Sequence, residues 1–90
     1  MNRAIRRTSQ FKRDVKRQIK RGKNLALLKD IITSLTEGII LNDKYRDHPL
    51  LGGYRGAREC HLEPDWLLIY ELSDHELILI RTGSHADLFE

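Results

Sequence analysis

The chain has 90 residues, of which 40% are hydrophobic and 32% are charged, with six glycines and two prolines. This length and composition predict a single domain spanning residues 1–90 and exclude a disordered chain. The one cysteine, Cys60, excludes an internal disulfide framework and a multi-cysteine zinc site. No apolar run approaches the ~20 residues that cross a bilayer, and no apolar segment follows the first arginines, so we expect a cytoplasmic protein with no membrane contact.

The charge of the chain is divided unevenly between its two parts. Residues 1–23 carry ten lysines and arginines against one acidic residue, Asp14, which is a balance of +9. Residues 24–90 carry six basic and twelve acidic residues, which is a balance of −6. This distribution predicts a polyanionic partner for the first part of the chain.

The first predicted elements are a short edge strand over residues 3–8 and a helix from Ser9 to about Arg21. Ser9 is the expected N-cap, and Gly22 is the expected C-terminal stop. Apolar residues recur every four positions in this helix and predict a narrow stripe that faces the core. The stripe consists of Phe11, Val15 and Ile19.

Basic residues occupy two further rows of the same helix, on its predicted solvent side. These residues are Lys12, Arg13, Lys16, Arg17, Lys20 and Arg21. Three apolar residues are enough to dock the helix on a sheet but are few for a helix that lies in a membrane interface. The density of positive charge exceeds what solubility requires, so we expect this surface to bind RNA phosphates.

A second helix is predicted between Asn24, as its cap, and Gly38, as its terminator. Its apolar face is formed by Leu25, Leu28, Ile32 and Leu35. The two helices and their short glycine-containing turn form a predicted helical hairpin. A DNA-binding helix-turn-helix is disfavoured, because its recognition helix would be this apolar second helix.

The rest of the chain predicts a loop followed by three antiparallel strands. Turn-forming residues mark Ile39 to Gly53 as the loop. The strands are predicted at Tyr54–His61, Trp66–Leu72 and Glu76–Arg81, and the middle one is apolar enough to be buried on both faces. The predicted class is therefore α+β, with the order β-α-α-β-β-β and an antiparallel sheet packed against two N-terminal helices.

Two-residue turns at positions 63–64 and 73–74 would set the register of these strands. The pairs that these turns predict are His61 with Trp66, Leu72 with His75, and Trp66 with Arg81. Four residues that are distant in sequence would then meet at one end of the sheet: His61, Asp65, Trp66 and Arg81. Polar residues collected at the end of an apolar sheet predict a functional site.

One chemistry open to such a site is metal-free cleavage of RNA, which needs a general base, a general acid and cationic donors for the crowded phosphorane. Histidine suits the proton transfers because its ordinary pKa, about 6.5, lies near working pH. Arg81 could stabilise developing charge, and Trp66 or Phe89 could stack on a splayed base. Asp65 could orient a histidine or act as the base.

Two other arrangements compete with the cleavage site. A metal could bind His48, His61, His85 and Asp65, but these residues lie in separate segments without a metal-binding spacing, so we expect no metal. The second alternative is structural, with polar residues capping the strand ends and Asp65 paired to Arg81.

Three motifs of the sequence match a known family. They are Asp47-His48-Pro49-Leu50, the ten residues from His61 to Tyr70, and the nine residues from Arg81 to Phe89. With them the chain resembles the YafQ-like toxins of the RelE/ParE superfamily of bacterial type II toxins. The resemblance implies the compact RelE-like microbial ribonuclease fold. It also implies an endoribonuclease that cuts translated mRNA in the A site of the 70S ribosome and is neutralised by a cognate antitoxin.

The resemblance further implies which residues cleave RNA, with no cofactor. In YafQ-like toxins the positions implicated in cleavage match His48, His61, Asp65, Arg81, His85 and Phe89, while Trp66 belongs to the same motif and would stack on RNA or support the site. We expect His85 to be the general acid and Asp65 the base or its orienter, with His48 and His61 positioning phosphate or sharing proton transfer. The antitoxin is expected to use an acidic or partly disordered segment. A gyrase-directed ParE-like toxin and a non-catalytic RNA-binding module are the alternatives.

Overall fold

A computed structural model describes residues 3–50 and 56–89 of the chain. Two helices cover one face of a five-stranded sheet whose strand order is β1-β5-β4-β3-β2. The elements are β1 (Ala4–Arg7), α1 (Ser9–Lys20), α2 (Leu25–Thr36), a 3-10 turn (Asp43–Tyr45), β2 (His48–Pro49), β3 (Arg58–Glu63), β4 (Trp66–Leu72), β5 (Glu76–Gly83) and α3 (His85–Phe89). Only the pairing of β1 with β5 is parallel within this sheet, so the predicted α+β class is confirmed. None of the helices in the described ranges is long and apolar enough to cross a membrane.

The N-cap of α1 is Thr8, which follows β1. The predicted N-cap, Ser9, is the first residue of the helix. The Thr8 hydroxyl accepts a hydrogen bond from the backbone N–H of Phe11 at 2.9 Å and donates to the Ile80 carbonyl at 2.7 Å. Thr8 keeps the extended backbone of β1 and can therefore cap the helix that follows. The predicted edge strand and the stop at Gly22, with φ of +81°, are confirmed.

The buried face of α1 differs from the predicted stripe. The helix buries Phe11, Asp14 and Gln18, whereas Ile19 is 51% exposed. This face follows the spacing i, i+3, i+7 and includes a carboxylate, which is tolerated because Arg81 pairs with it. The sequence pattern missed this face because it counted only apolar residues.

The second helix agrees with its sequence signals. The Asn24 side chain caps it by accepting from the N–H of Ala26 at 3.0 Å, and Gly38, with φ of +77°, follows its end. Its buried residues include Leu28 and Leu35, which join the core beneath the sheet. Two consecutive helices joined by a short turn at Gly22 are therefore present, as predicted.

The middle strand β4 is the centre of the core. Trp66, Leu68 and Tyr70 pack under the helices, while Leu67 and Ile69 pack on the opposite face of the sheet. All five side chains are fully buried. The prediction of a strand buried on both faces is confirmed, because β4 has a hydrogen-bonded neighbour on each side and apolar layers above and below.

The predicted register of the last three strands is wrong. Three observed pairs are Glu63 with Trp66, Leu72 with Leu77, and Ile69 with Arg81. The turns are the cause: the first uses positions 64–65, and the second spans 73–76, where the Ser73 backbone N–H donates to the Glu76 carbonyl at 3.0 Å. Irregularities between positions 61 and 63 and between 69 and 70 shift the pairing further.

The sequence also missed two short elements. Strand β2 lies inside the predicted loop and pairs with β3, and α3 follows β5 where only a chain turn was expected. The start of the predicted strand Tyr54–His61, at Tyr54 and Arg55, lies outside the described residues, as do positions 51–53 of the predicted loop. Both missed elements carry predicted site residues, His48 and His85.

Candidate active site

Three imidazoles lie in a row on the face of the sheet opposite α1 and α2. The ring centroids of His48 and His61 are 6.1 Å apart, and those of His61 and His85 are 5.9 Å apart. The Phe89 ring continues the row at 6.4 Å from His85. Four of the six residues predicted for cleavage therefore form one continuous group, although they come from three elements.

His48 is fixed at one end of the row by its own loop. Its Nδ1 lies 2.5 Å from the carbonyl oxygen of Arg46, a residue with a left-handed φ of +48°. A carbonyl can only accept, so Nδ1 carries the proton and Nε2 faces the next strand. Asp47 anchors the segment to the sheet, because its Oδ1 accepts from the Tyr70 hydroxyl at 2.5 Å.

A buried carboxylate, Glu59, links two of the histidines. Its Oε1 lies 3.6 Å from His48 Nε2 and 3.7 Å from His61 Nε2, and its side chain is 8% exposed. Glu59 was not among the predicted site residues. The signal was present, because residues two apart on a strand share a face and Glu59 precedes His61 by two positions.

His61 occupies the middle of the row and is the least exposed of the three imidazoles. Its side chain is 15% exposed, and Nδ1 is buried without a hydrogen-bond partner among the described residues. Burial lowers the pKa of His61 below its ordinary value, and the nearby Glu59 carboxylate opposes that shift. His61 is therefore neutral at pH 7 and has the protonation state of a general base.

Asp65 and His85 form an exposed acid–imidazole pair. The Asp65 Oδ1 accepts from the backbone N–H of His85 at 2.9 Å and from its Nδ1 at 2.6 Å. These two hydrogen bonds, the backbone one first, lower the pKa of Asp65 below its ordinary value. Because Nδ1 bonds Asp65, Nε2 is the ring nitrogen left to exchange a proton with a substrate oxygen.

Arg81 and Trp66 do not join this group, contrary to the predicted convergence. The guanidinium of Arg81 lies on the helix side of the sheet, with Nε 2.7 Å from Asp14 Oδ2 and Nη2 3.1 Å from Oδ1. Trp66 is fully buried, and its Nε1 donates to the Thr82 hydroxyl at 3.0 Å. The changed register accounts for both placements, and burial rules out Trp66 as a stacking surface while leaving it a support for the site.

An open groove of about 480 Å³ lies beside the row of histidines. Its lining includes His61 and His85 together with two cations, Lys44 of the 3-10 turn and Arg46, which follows that turn. The Lys44 ammonium lies 5.2 Å from the ring centroid of Tyr45. These cations were not among the predicted site residues, because nothing in the predicted loop tied them to the distant histidines.

The basic residues predicted to bind RNA are all exposed on the outer surface of α1. Two of them also make contacts within the protein: Arg17 and Arg21 both reach the carboxylate of Asp87 in α3. The helix that carries the basic surface is thus in direct contact with the helix that carries His85.

Within residues 3–50 and 56–89, no group of three or more histidine, cysteine, aspartate or glutamate side chains is placed to hold a metal ion. The available groups instead form two separate sets, Glu59 beside two imidazoles and Asp65 bonded to the third. The arrangement favours proton transfer between side chains and substrate.

The sequence and fold were compared with those of known proteins. Residues 3–90 match the family described as "Bacterial toxin of type II toxin-antitoxin system, YafQ". The chain is 44% identical over 90 residues to the mRNA interferase toxin YafQ of Escherichia coli K12, covering 99% of this chain and 98% of that protein. The toxin in a crystal structure of the E. coli DinJ-YafQ complex matches with a TM-score of 0.93 and 44% identity over 100% of both chains. A metal-bound toxin from Helicobacter pylori matches with a TM-score of 0.91 and 42% identity over 99% of this chain and 100% of that one.

Proposed function

The chain belongs to the YafQ family of type II toxin–antitoxin toxins, and we propose that it is a ribosome-dependent mRNA interferase that cleaves translated mRNA by acid–base catalysis without a metal. The observation that carries this proposal is the row of three imidazoles beside an open groove. One imidazole is held neutral by burial and another is paired with a carboxylate, so the two can take opposite proton-transfer roles.

In the proposed reaction the ribose 2′-oxygen attacks the adjacent phosphorus as its proton passes to a general base. Neutral His61 is the base that the geometry favours. The bond from phosphorus to the 5′-oxygen then breaks, and that oxygen takes a proton from Nε2 of His85. Asp65 fixes the orientation of the His85 ring through its bond to Nδ1, so we assign it as the orienter rather than the base.

The phosphorane also needs positive charge, and the groove supplies it from Lys44 and Arg46. His48, facing the Glu59 carboxylate, is placed to contribute a further charge when protonated. Phe89 is 48% exposed beside His85 and offers a surface on which a splayed base can stack.

Arg81 remains part of the proposed site, in a supporting position. Its bidentate pair with Asp14 ties β5 to α1, and β5 leads directly into His85. We assign Arg81 to holding this strand end, with direct contact to the phosphorane as the alternative that a test must distinguish.

The proposed partners follow from the charge of the surface and from the relatives. The exposed basic residues of α1 are suited to ribosomal RNA phosphates. E. coli YafQ is known in a complex with DinJ, and we propose that this chain likewise binds a cognate antitoxin, through an acidic or partly disordered segment. With ribosomes and mRNA as its targets, its proposed place of action is the bacterial cytoplasm.

Primer extension on mRNA from cells that briefly express the chain tests the proposal. Discrete cuts in frame with the codons are expected, and these should also appear in purified translating ribosomes. Supercoiling defects with intact mRNA would instead indicate a ParE-like action on gyrase, and RNA binding without cuts would indicate a non-catalytic module. Chelator added to the cleavage step, with ribosomes kept intact, is expected to leave the rate unchanged, whereas a metal requirement would contradict the proposed chemistry.

A further inference from the structure

Helix α3 is too short to hold its own shape. It has five residues, whereas isolated helices shorter than about 12 residues are marginal in water. Its Leu88 packs against Leu67 and Ile69, which fixes one side. His85 and Phe89, the two ends of α3, are about half exposed, so the packing of Leu88 alone does not determine their orientation.

The exposed Asp65 bonds the first residue of this helix, His85, and the more buried Asp87 makes the connections to the rest of the fold. Its carboxylate accepts from the Ser84 backbone N–H at 3.0 Å, and the Ser84 hydroxyl accepts from the Asp87 N–H at 3.1 Å, which forms a reciprocal cap. The same carboxylate receives Arg21 in two contacts, at 2.5 and 3.0 Å, and Arg17 in one at 3.3 Å. Asp87 therefore joins the N-terminus of α3 to the distant helix α1.

The Asp87 side chain is tightly packed. It is 9% exposed, although both arginines reach solvent. A Cβ added at Gly83 would lie 2.8 Å from Asp87 Oδ2, so a glycine is required where the strand ends. The Arg21 hydrogen bond holds the pKa of Asp87 far below its usual range, and the carboxylate is thus charged throughout the pH range of translation.

We propose that Asp87 is a positioning residue that latches α3 to α1 and thereby holds His85 and Phe89 in place for RNA cleavage. This inference rests on the proposed function, because it assigns catalytic work to α3. It adds a residue outside the imidazole row and a physical link between the basic surface and the acid–base pair. The link also means that Arg17 and Arg21 are partly neutralised within the protein before any RNA binds.

Two consequences separate a latch from a residue that only supports the fold. Without the Asp87 charge, α3 should sample other orientations and turnover should fall, since displacement of a catalytic group by about 1 Å can cost ~10²-fold. Ribosome binding should not weaken, because Arg17 and Arg21 would gain freedom to contact phosphate. The latch therefore predicts a lower kcat together with an unchanged or lower KM for ribosomes.

The test uses the full chain with the substitution Asp87→Asn, which keeps an oxygen for the Ser84 cap and removes the charge. Glu76→Gln is the matched control, because it removes one carboxylate from another arginine pair, Arg6 with Glu76, away from the site. Cleavage of ribosome-bound mRNA gives kcat and KM, and thermal melting gives the folded fraction. Hydrogen exchange of the Leu88 amide, which donates to the Ser84 carbonyl at 3.1 Å, reports on α3 directly.

Asp87→Asn is expected to lower kcat by about tenfold or more, with KM unchanged or lower, and to speed Leu88 exchange relative to Glu76→Gln. Turnover and exchange equal to those of the control would overturn the latch, and so would a fall in kcat that only matches the loss of folded protein. If Asp87→Asn does not fold, Arg21→Gln decides, since it leaves the Ser84 cap intact: unchanged kcat and Leu88 exchange would overturn the proposal. A wild-type protein that cleaves no mRNA contradicts the proposed function instead, and the exchange measurement still judges the latch.

Discussion

The two faces of the sheet each contain an acidic residue paired with a basic one, but under opposite conditions. On the helix side, Asp14 and Arg81 make a bidentate pair in which the Asp14 side chain is 2% exposed. On the other side, Asp65 and His85 are bonded through one carboxylate oxygen, with side chains 69% and 54% exposed. Both pairs join residues that are far apart in the sequence.

The contrast shows that a buried charged pair stabilises the fold, whereas an exposed charged pair is available for chemistry. The two Asp14 oxygens are saturated, because Arg81 takes both and the Thr82 N–H donates to Oδ2 at 3.2 Å. A saturated, buried pair holds elements together but has little left to exchange with a substrate. The exposed pair keeps a titratable nitrogen facing solvent, which a proton-transfer group needs.

The largest effect is expected from the exposed pair. His85→Ala should reduce cleavage of ribosome-bound mRNA by ~10²–10⁴-fold, because it removes a proton-transfer group. Its melting temperature should stay close to that of the wild type, since the imidazole is exposed. His75→Ala, in the exposed turn before β5, is the control and should cleave normally. A folded His85→Ala protein with full activity would remove His85 from the mechanism.

The next effect concerns stability on the helix side. Asp14→Asn should lower the free energy of unfolding by about 3 kcal/mol, because it leaves the Arg81 charge without its carboxylate, and partial access of Arg81 to water limits the loss. Asp30→Asn on the exposed side of α2 is the matched control and should cost little. Urea unfolding measures both. Equal free energies of unfolding for the two variants would contradict a structural role for the Asp14–Arg81 pair.

The third effect concerns ribosome binding, which we expect to depend on the outer surface of α1 and not on the two acid–base pairs. Reversing Lys12, Lys16 and Lys20 to Glu should weaken ribosome association and reduce the slope of log affinity against log salt by about three, one for each lost phosphate contact. The fold should persist, because these side chains point to solvent. Sedimentation at several salt concentrations provides the measurement, and an unchanged salt slope would assign ribosome binding to another surface.

The smallest expected effect is a shift in the pH dependence of the cleavage rate when Glu59 is replaced. As the base, His61 must be unprotonated, so the acid limb of the cleavage rate should lie below pH 6.5. The Glu59 carboxylate raises the pKa of His61, so Glu59→Gln should move this limb to lower pH. The lowered pKa also means that the unfolded chain binds more protons below pH 6.5, so this histidine lowers stability as the pH falls. A limb that moves to higher pH in Glu59→Gln would argue against His61 as the base.

Signals local to the chain predicted most elements of the fold. Asn24, Gly22 and Gly38 marked the helix ends, and the run from Trp66 to Leu72 gave the central strand, because capping and continuous burial depend on neighbouring residues. The face that α1 buries was not predictable in this way. It depends on Arg81, 67 positions away, to neutralise Asp14.

The candidate site was predicted in part. The motif resemblance supplied His48, His61 and His85, and the structure places them in one row. It did not supply Glu59, whose role depends on β2 pairing with β3, a contact between two short segments that weak local preferences do not specify.

The sequence by itself determined the α+β class, the positions of both long helices, the central buried strand and the concentration of positive charge on α1. Tertiary structure alone decided the strand register, the burial of Trp66, the pairing of Arg81 with Asp14 and the latch at Asp87. The physical reason is that helix ends and apolar runs are set by nearby residues. Register and charge pairing are set by turn geometry and by which distant partner can satisfy a buried polar group.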